Sequence, residues 1–256
     1  MPSFEGTLGE LPSLRRDRSC QRCRLGYGRQ MKRITIRDNS VNLPAFPQEM
    51  ELTQLSSLDR VAGQLDRFSL AHLRVRALDL ESVELHEGKV RSVHAESVGI
   101  RRVSTRSLQF DRCNLGMLRW SGGKISETWF DTCKLLGARF ENITLDNVVF
   151  TNCKLDYSTL SHVRASGPVI FSQCSLRETD FDGCDFSRAL FDDCDLVLAN
   201  FGHGIYAGCD LRGNDLSAVT GISNLKSVII GYGQLMQLAQ AVASELNVNF
   251  GDDPNV

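Results

Sequence analysis

An apolar residue recurs at every fifth position in the second half of the chain, between Phe171 and Leu216. Two residues before each stands a mostly small side chain, such as Cys174 or Ala189. A period of five fits neither an α-helix nor a flat strand. A short fixed repeat instead predicts a solenoid, whose units bury their apolar sides only by stacking on their neighbours. The apolar positions are Phe171, Leu176, Phe181, Phe186, Phe191, Leu196, Phe201, Tyr206, Leu211 and Leu216.

The segments ThrAspPheAspGly (179–183) and AlaAsnPheGlyHis (199–203) show the unit most plainly. They resemble the pentapeptide-repeat family, whose unit is a small residue, then Asp or Asn, then Leu or Phe, then two polar residues. The resemblance implies an all-β fold, a right-handed, quadrilateral (four-sided) β-helix solenoid with four units per coil. In that fold the central residue and the residue two before it point inward. The resemblance extends over residues 65–221. With its predicted C-terminal helix, the chain is similar to bacterial members of the family that end in a capping helix.

If four units close one coil, residues twenty apart should stack on one another. Two independent series of residues follow this spacing with one shared extra residue, and Ser166, Gly167 and Pro168 supply turn chemistry for an insertion at that point. We therefore predict two core ladders of phenylalanine and of small apolar cysteine, with the thiols serving as packing rather than as metal ligands. The ladders are Phe110, Phe130, Phe150, Phe171 and Phe191, and Cys113, Cys133, Cys153, Cys174 and Cys194.

The remaining segments divide the chain into four parts. Residues 1–37 read as a basic, poorly ordered tail, although the alternation around Ile34 and Ile36 is typical of a short strand. Residues 38–64 are predicted to form an N-terminal cap, residues 65–221 the β-helix, and residues 222–256 a C-terminal cap.

Both caps are expected to contain a helix, because the open ends of a solenoid need covering. At the N-terminal end the helical spacing belongs to Leu52, Leu55, Leu58 and Val61. At the C-terminal end a helix over about residues 234–246 either covers the last coil or also forms the seam of a homodimer, as the resemblance implies. Its predicted apolar side consists of Leu235, Leu238, Ala239, Val242 and Leu246.

Charge is distributed unevenly along a chain whose net charge is only −2. Residues 1–37 carry nine Lys or Arg and three Asp or Glu, whereas residues 171–220 carry nine acids and three arginines. The tail is thus either an arm for nucleic acid or an acidic partner, or a solvated extension. No apolar run is long enough to cross a bilayer and the first residues do not resemble a signal peptide, so we expect a cytoplasmic protein without a membrane partner.

Catalytic and metal-binding motifs are absent from the sequence. Cys20 and Cys23 form a CxxC pair, but no second pair of ligands follows at zinc-site spacing, and the five histidines are scattered. A solenoid of this type also has a filled interior, so no cleft is expected. We predict a non-enzymatic protein without a cofactor or a metal.

Function is therefore expected at the surface. Our first hypothesis is a protein-interaction scaffold, and apolar side chains around Tyr157 and Leu198 favour a docking surface. The resemblance implies an alternative, a rod that imitates DNA and binds a type II topoisomerase such as DNA gyrase; neither predicts that the repeats bind nucleic acid directly. The candidate acidic surface comprises Asp180, Asp182, Asp185, Asp192, Asp193 and Asp195.

Overall fold

The structure is a computed structural model of the 256-residue chain, and it describes residues 33–44, 52–58, 61–249 and 251. Short parallel strands stack into a β-solenoid of about seven coils, followed by one short helix. The predicted four-sided all-β fold is confirmed. Cys20, Cys23 and most of the predicted basic tail lie outside the described residues.

The described residues include twenty-one strands. The first eleven are β1 (Arg33–Ile36), β2 (Asn39–Asn42), β3 (Thr53–Leu55), β4 (Gly63–Ala71), β5 (Arg74–Glu81), β6 (Val83–Arg91), β7 (His94–Arg101), β8 (Ser104–Asp111), β9 (Asn114–Leu115), β10 (Arg119–Ser121) and β11 (Lys124–Asp131). The others are β12 (Arg139–Glu141), β13 (Thr144–Thr151), β14 (Thr159–Ser161), β15 (Arg164–Ala165), β16 (Val169–Ser172), β17 (Asp180–Asp182), β18 (Cys184–Asp185), β19 (Ala189–Asp192), β20 (Asn200–Phe201) and β21 (Gly204–Ile205).

Each coil has four sides, each paired in parallel with the same side of the next coil. In one coil the first side holds Phe130, the second Leu135, the third Phe140 and the fourth Leu145. One sheet runs through β5, β7, β10, β12, β14, β17 and β20, and another runs from β3 to β21. Within the described coils, the backbone groups of one coil therefore bond to the coils above and below.

The corners of the coil carry residues with positive φ. In a single coil these are Arg112, Met117, Gly122 and Glu127, with φ of 51°, 44°, 68° and 46°. This left-handed conformation turns the chain and points the side chain outward, at a steric cost for residues other than glycine. The corner side chains are consequently the natural place to look for surface function.

The predicted inserted residue is present. Strand β13 pairs with β11 at a separation of twenty, as in Phe130 with Phe150, but with β16 at twenty-one, as in Phe150 with Phe171. The amides of Ser166 and Gly167 both approach the carbonyl oxygen of Leu145, so the extra residue is absorbed at one corner. The register of twenty then resumes between Phe171 and Phe191.

Two boundaries predicted from the sequence are wrong. The solenoid does not begin at residue 65, because β3 already pairs in parallel with β4, joining Thr53 to Phe68. It also continues beyond residue 221, because Ile229 forms a parallel bridge with Asp210. The first and last coils depart from the five-residue pattern, which is why the sequence periodicity underestimates their extent.

The predicted N-terminal helix is also wrong. Leu52 and Leu58 are buried, but Thr53–Leu55 between them is a strand that extends the sheet by one coil. A strand supplies hydrogen-bond partners to the exposed backbone edge of the first full coil, and a helix does not. Leucines at a spacing of three are compatible with either element in so short a segment.

The predicted tail of residues 1–37 ends inside a β-hairpin. Strands β1 and β2 pair antiparallel, with Ile34 opposite Val41, and the turn between them contains Arg37 at a φ of 53°. We call residues 33–44 the hairpin segment. It lies against the first side of the solenoid, so this part of the basic region is ordered, as the alternation around Ile34 indicated.

The C-terminal end closes with two 3-10 turns, Ile222–Asn224 and Tyr232–Gln234, and the helix α1 (Leu235–Glu245). The predicted helix is confirmed, but its predicted apolar side is wrong in part: Leu235, Ala239 and Leu246 are exposed. The buried residues here are instead Gln234, which directly precedes α1, and Ala241 of α1, which joins the core. The Gln234 amide nitrogen donates to the carbonyl oxygens of Leu211 and Asn214, satisfying the backbone of the last coil.

Candidate functional site

The interior of the coils is filled by the predicted ladders. Neighbouring phenylalanine rings in the first side are nearly parallel, with centroids 4.7 Å apart for Phe130 and Phe150 and 4.9 Å apart for Phe171 and Phe191. A second aromatic column joins Phe181 to Phe201 in the third side. The centre of the back coils is thus packed with rings, as the twenty-residue spacing predicted.

The cysteine ladder lies beside the phenylalanine ladder and is also buried. All five of its thiols are free, and each donates a weak hydrogen bond to a carbonyl of the coil before it, as Cys153 Sγ does to the Phe130 oxygen at 3.5 Å. Burial raises the pKa values of the Cys153, Cys174 and Cys209 thiols above the ordinary value for cysteine. Burial also raises the pKa of the Cys184 thiol to about 12. Neutral, buried thiols act as small apolar groups.

The seven described cysteines should therefore not react with a thiol reagent in the native protein near pH 8. All seven side chains are buried, so a reagent would have to enter the packed interior, and the raised pKa values of Cys153, Cys174, Cys184 and Cys209 keep those four thiols protonated. Titration with a chromogenic disulfide should detect at most Cys20 and Cys23 before unfolding and all nine cysteines in denaturant. Rapid native labelling of three or more thiols would contradict this packing.

The six carboxylates of the candidate acidic surface are not brought together. Asp180 and Asp182 lie on the third side, Asp185 on the fourth, Asp192 on the first with Asp193 at the next corner, and Asp195 on the second. Several already have partners within the chain. Asp195 forms an ion pair with Arg177 at 2.9 Å, and Asp185 accepts a hydrogen bond from the Ser187 hydroxyl at 2.7 Å.

Asp192 is engaged by the hairpin segment. The Arg37 guanidinium donates to Asp192 at 2.8 Å, to Asp210 at 3.2 Å and to the carbonyl oxygen of Arg212 at 2.6 Å. The Asp210 side chain is 1% exposed and also accepts from Arg212 at 2.7 Å. Burial alone would raise the pKa of Asp210, but the hydrogen bonds from Arg212 and the charges of Arg37 and Arg212 outweigh it and hold that pKa below its ordinary value.

An outward apolar row beneath the hairpin segment was not singled out by sequence reasoning. Val149, Ile170 and Leu190 point away from the ladders, yet all three are fully buried because Val41 and Leu43 cover them. The available signal was local: each directly precedes a ladder phenylalanine, where the five-residue unit favours Asp or Asn. Three such departures at a spacing of one coil indicate a covered surface.

A second outward apolar row is exposed. We call Met117, Leu136, Tyr157, Val197 and Leu198 the apolar corner. They occupy two adjacent positions at the corner between the second and third sides, where Met117, Tyr157 and Leu198 have positive φ. Met117 is 64% exposed, Leu136 49%, Tyr157 63% and Leu198 51%.

Among the described residues, no three His, Cys, Asp or Glu side chains are grouped as metal ligands would be. In the same part of the chain, no helix has the length and apolar character needed to span a membrane.

The repeat region matches one protein-family model and several solved structures. The family described as "Pentapeptide repeat region" matches residues 123–201. No curated protein matches the sequence. Solved structures that match include QnrB1, a plasmid-mediated fluoroquinolone resistance protein, at 17% identity over 70% of this chain and 88% of that one, with a TM-score of 0.32. Another is HetL, a pentapeptide-repeat protein involved in heterocyst differentiation regulation in the cyanobacterium Nostoc, at 13% identity over 67% and 89% of the two chains, with a TM-score of 0.24. The chain thus contains a pentapeptide-repeat region, built into a four-sided β-solenoid.

Proposed function

We propose that this protein is a non-enzymatic scaffold that binds a protein partner through the apolar corner. The observation that carries the proposal is the exposure of four large apolar side chains on adjacent rows. Met117 and Tyr157 are two coils apart, as are Tyr157 and Leu198 with Glu178 at the corner between them, so the apolar corner extends about 19 Å at about 4.8 Å per coil. Aromatic and large aliphatic side chains of this kind anchor protein interfaces.

The rigidity of the backbone favours binding over catalysis. The anchors are fixed by coils that hydrogen-bond on both sides, as at the neighbouring bridge between Lys134 and Lys154. A partner would therefore meet a preformed surface and lose little binding energy to ordering it.

Replacing both Tyr157 and Leu198 by Ser should abolish capture of the partner. Both side chains point outward at corners, so the solenoid should fold unchanged, and serine removes the apolar contact area. The measurement is a quantitative pull-down from the native cell with the full chain as bait. Ile205→Ser is the matched control, because Ile205 is 57% exposed on the fourth side, away from the apolar corner.

A partner lost by at least about tenfold with the double variant, and retained with the control, would support the proposal. Partners equally retained by all three baits would overturn it.

The alternative, a DNA-mimicking ligand of a type II topoisomerase, has less support. A DNA-binding groove presents its cations along one continuous track, whereas the six candidate carboxylates are spread over four sides. Four of them already have partners within the chain: Asp180, Asp185, Asp192 and Asp195. The double variant Asp182→Asn and Asp193→Asn tests this alternative in the same pull-down. Recovery of gyrase that depends on these two carboxylates and not on the apolar corner would favour mimicry.

The homodimer predicted through the C-terminal helix remains a proposal. It is supported by the exposure of Leu235 and Met236 on α1 and of Leu246 directly after it.

A further inference from the structure

A groove of about 500 Å³ crosses the front coils where the first side meets the second. Its lining includes two arginines, one lysine and two histidines, together with hydroxyl and amide groups, and no carboxylate. These basic side chains are His72, Arg74, His94, Arg112 and Lys134.

The register of the solenoid aligns these groups. Arg74, His94, Asn114 and Lys134 are successive residues of one row on the second side, linked by parallel pairing. Lys154 continues the row by one coil. At about 4.8 Å per coil, the row from Arg74 to Lys154 is about 19 Å long.

Most of this positive charge is not neutralised within the described part of the chain. Arg112 pairs with Asp111 at 2.9 Å. Arg74, Lys134 and Lys154 have no ion pair among the described residues. The Asn114 side-chain nitrogen lies 3.0 Å from His94 Nδ1, and this contact orients the His94 ring.

We propose that this groove binds a short acidic peptide segment of a protein partner. Donors in a concave row suit carboxylate or phosphate oxygens, which accept charge-assisted hydrogen bonds. The length of about 19 Å matches about five or six extended residues. A longer polyanion is disfavoured, because the same row continues into Asp195 and the neighbouring corner into Asp193, which would repel it.

The groove does not depend on the apolar corner, since the two sites lie on opposite edges of the second side and use different residues.

Fluorescently labelled pentaglutamate tests the assignment by anisotropy at low salt. The wild-type chain should bind it saturably, with affinity falling as salt rises, and not bind pentaglutamine. The double variant Arg74→Ala and Lys134→Ala should weaken binding by at least about tenfold. Arg119→Ala with Arg139→Ala is the matched control, because it removes the same charge from two exposed residues of the third side, one coil apart.

Further probes distinguish the sources of the anion. A phosphoserine pentapeptide that competes for the same variants would assign the groove to phosphorylated segments, which the proposal includes. Equal losses of peptide affinity in the groove variant and in the control variant would show that binding depends only on net charge, and would overturn the proposal. So would the absence of saturable binding to either peptide, or tighter, variant-sensitive binding of a single-stranded oligonucleotide.

Discussion

Replacing Phe150 by Ala should lower the free energy of unfolding by about 3–5 kcal/mol. Phe150 is the middle ring of the phenylalanine ladder, stacked on Phe130 at 4.7 Å and on Phe171 at 4.9 Å. The coils are held at a fixed spacing by parallel hydrogen bonds through β11, β13 and β16, so they cannot collapse onto the cavity. The loss therefore includes both the transfer of the ring and the unfilled volume.

Urea unfolding followed by circular dichroism measures this loss. Tyr157→Ala is the matched control, because it removes an aromatic ring of similar size from an exposed corner in the following turn of chain. The control should change the stability by no more than about 0.5 kcal/mol. If the Phe150 variant were no less stable than the Tyr157 variant, the stacked ladder would not be a main source of stability.

Replacing Arg37 by Ala should release the hairpin segment and lower the free energy of unfolding by about 1–3 kcal/mol. The guanidinium is half-buried and joins three acceptors on the solenoid, so its removal leaves Asp192 without its cation and the buried Asp210 with Arg212 alone. This range lies below the full cost of breaking a buried ion pair, because Arg212 still pairs with Asp210. Hydrogen exchange should become faster in β1 and β2 and at Val149, Ile170 and Leu190.

Arg177→Ala is the control for this variant. It removes an ion pair to Asp195 that is exposed on both partners, which should contribute at most about 1 kcal/mol and leave the hairpin protected. Unchanged exchange in the Arg37 variant would show that apolar contact alone holds the hairpin segment in place.

The Asp210 carboxylate also makes docking of the hairpin segment depend on pH, through the part of its pKa shift that the charge of Arg37 causes. Its pKa is lower in the folded state than its ordinary value, so the charged form contributes stability at pH values above the ordinary carboxyl range. That contribution is lost as the pH falls through the folded-state pKa. Protection of β1 and β2 should consequently persist at neutral pH and weaken in acid below about pH 4.

The register of the coils could be predicted from the sequence because identical side chains recur at one spacing. Phe130, Phe150 and Phe171 specify both the period of twenty and the single inserted residue without any knowledge of their contacts. The end coils were predicted less well, since Thr53–Leu55 and Ile229 join the sheet through backbone pairing that leaves no five-residue signature.

Surface features depend on which distant segments meet, and the sequence pattern does not contain that information. The negative charge around Asp192 is visible in the sequence, but its pairing with Arg37, 155 residues away, is not. The cationic groove was missed for a related reason: Arg74, His94 and Lys134 are scattered in the sequence and become neighbours only when the coils are stacked.

The parallel register also sets how this protein can change in length. Gain or loss of one whole turn of twenty residues preserves every column, and moves the surfaces above it along the axis by about 4.8 Å. Insertion or deletion of one residue within a side would instead turn the inward ring of Phe150 toward water and bring an outward residue inside. The corner at Ser166 and Gly167 shows where a single residue can be accommodated. The distance between two docking surfaces on one side is therefore adjustable only in such steps, with their direction unchanged.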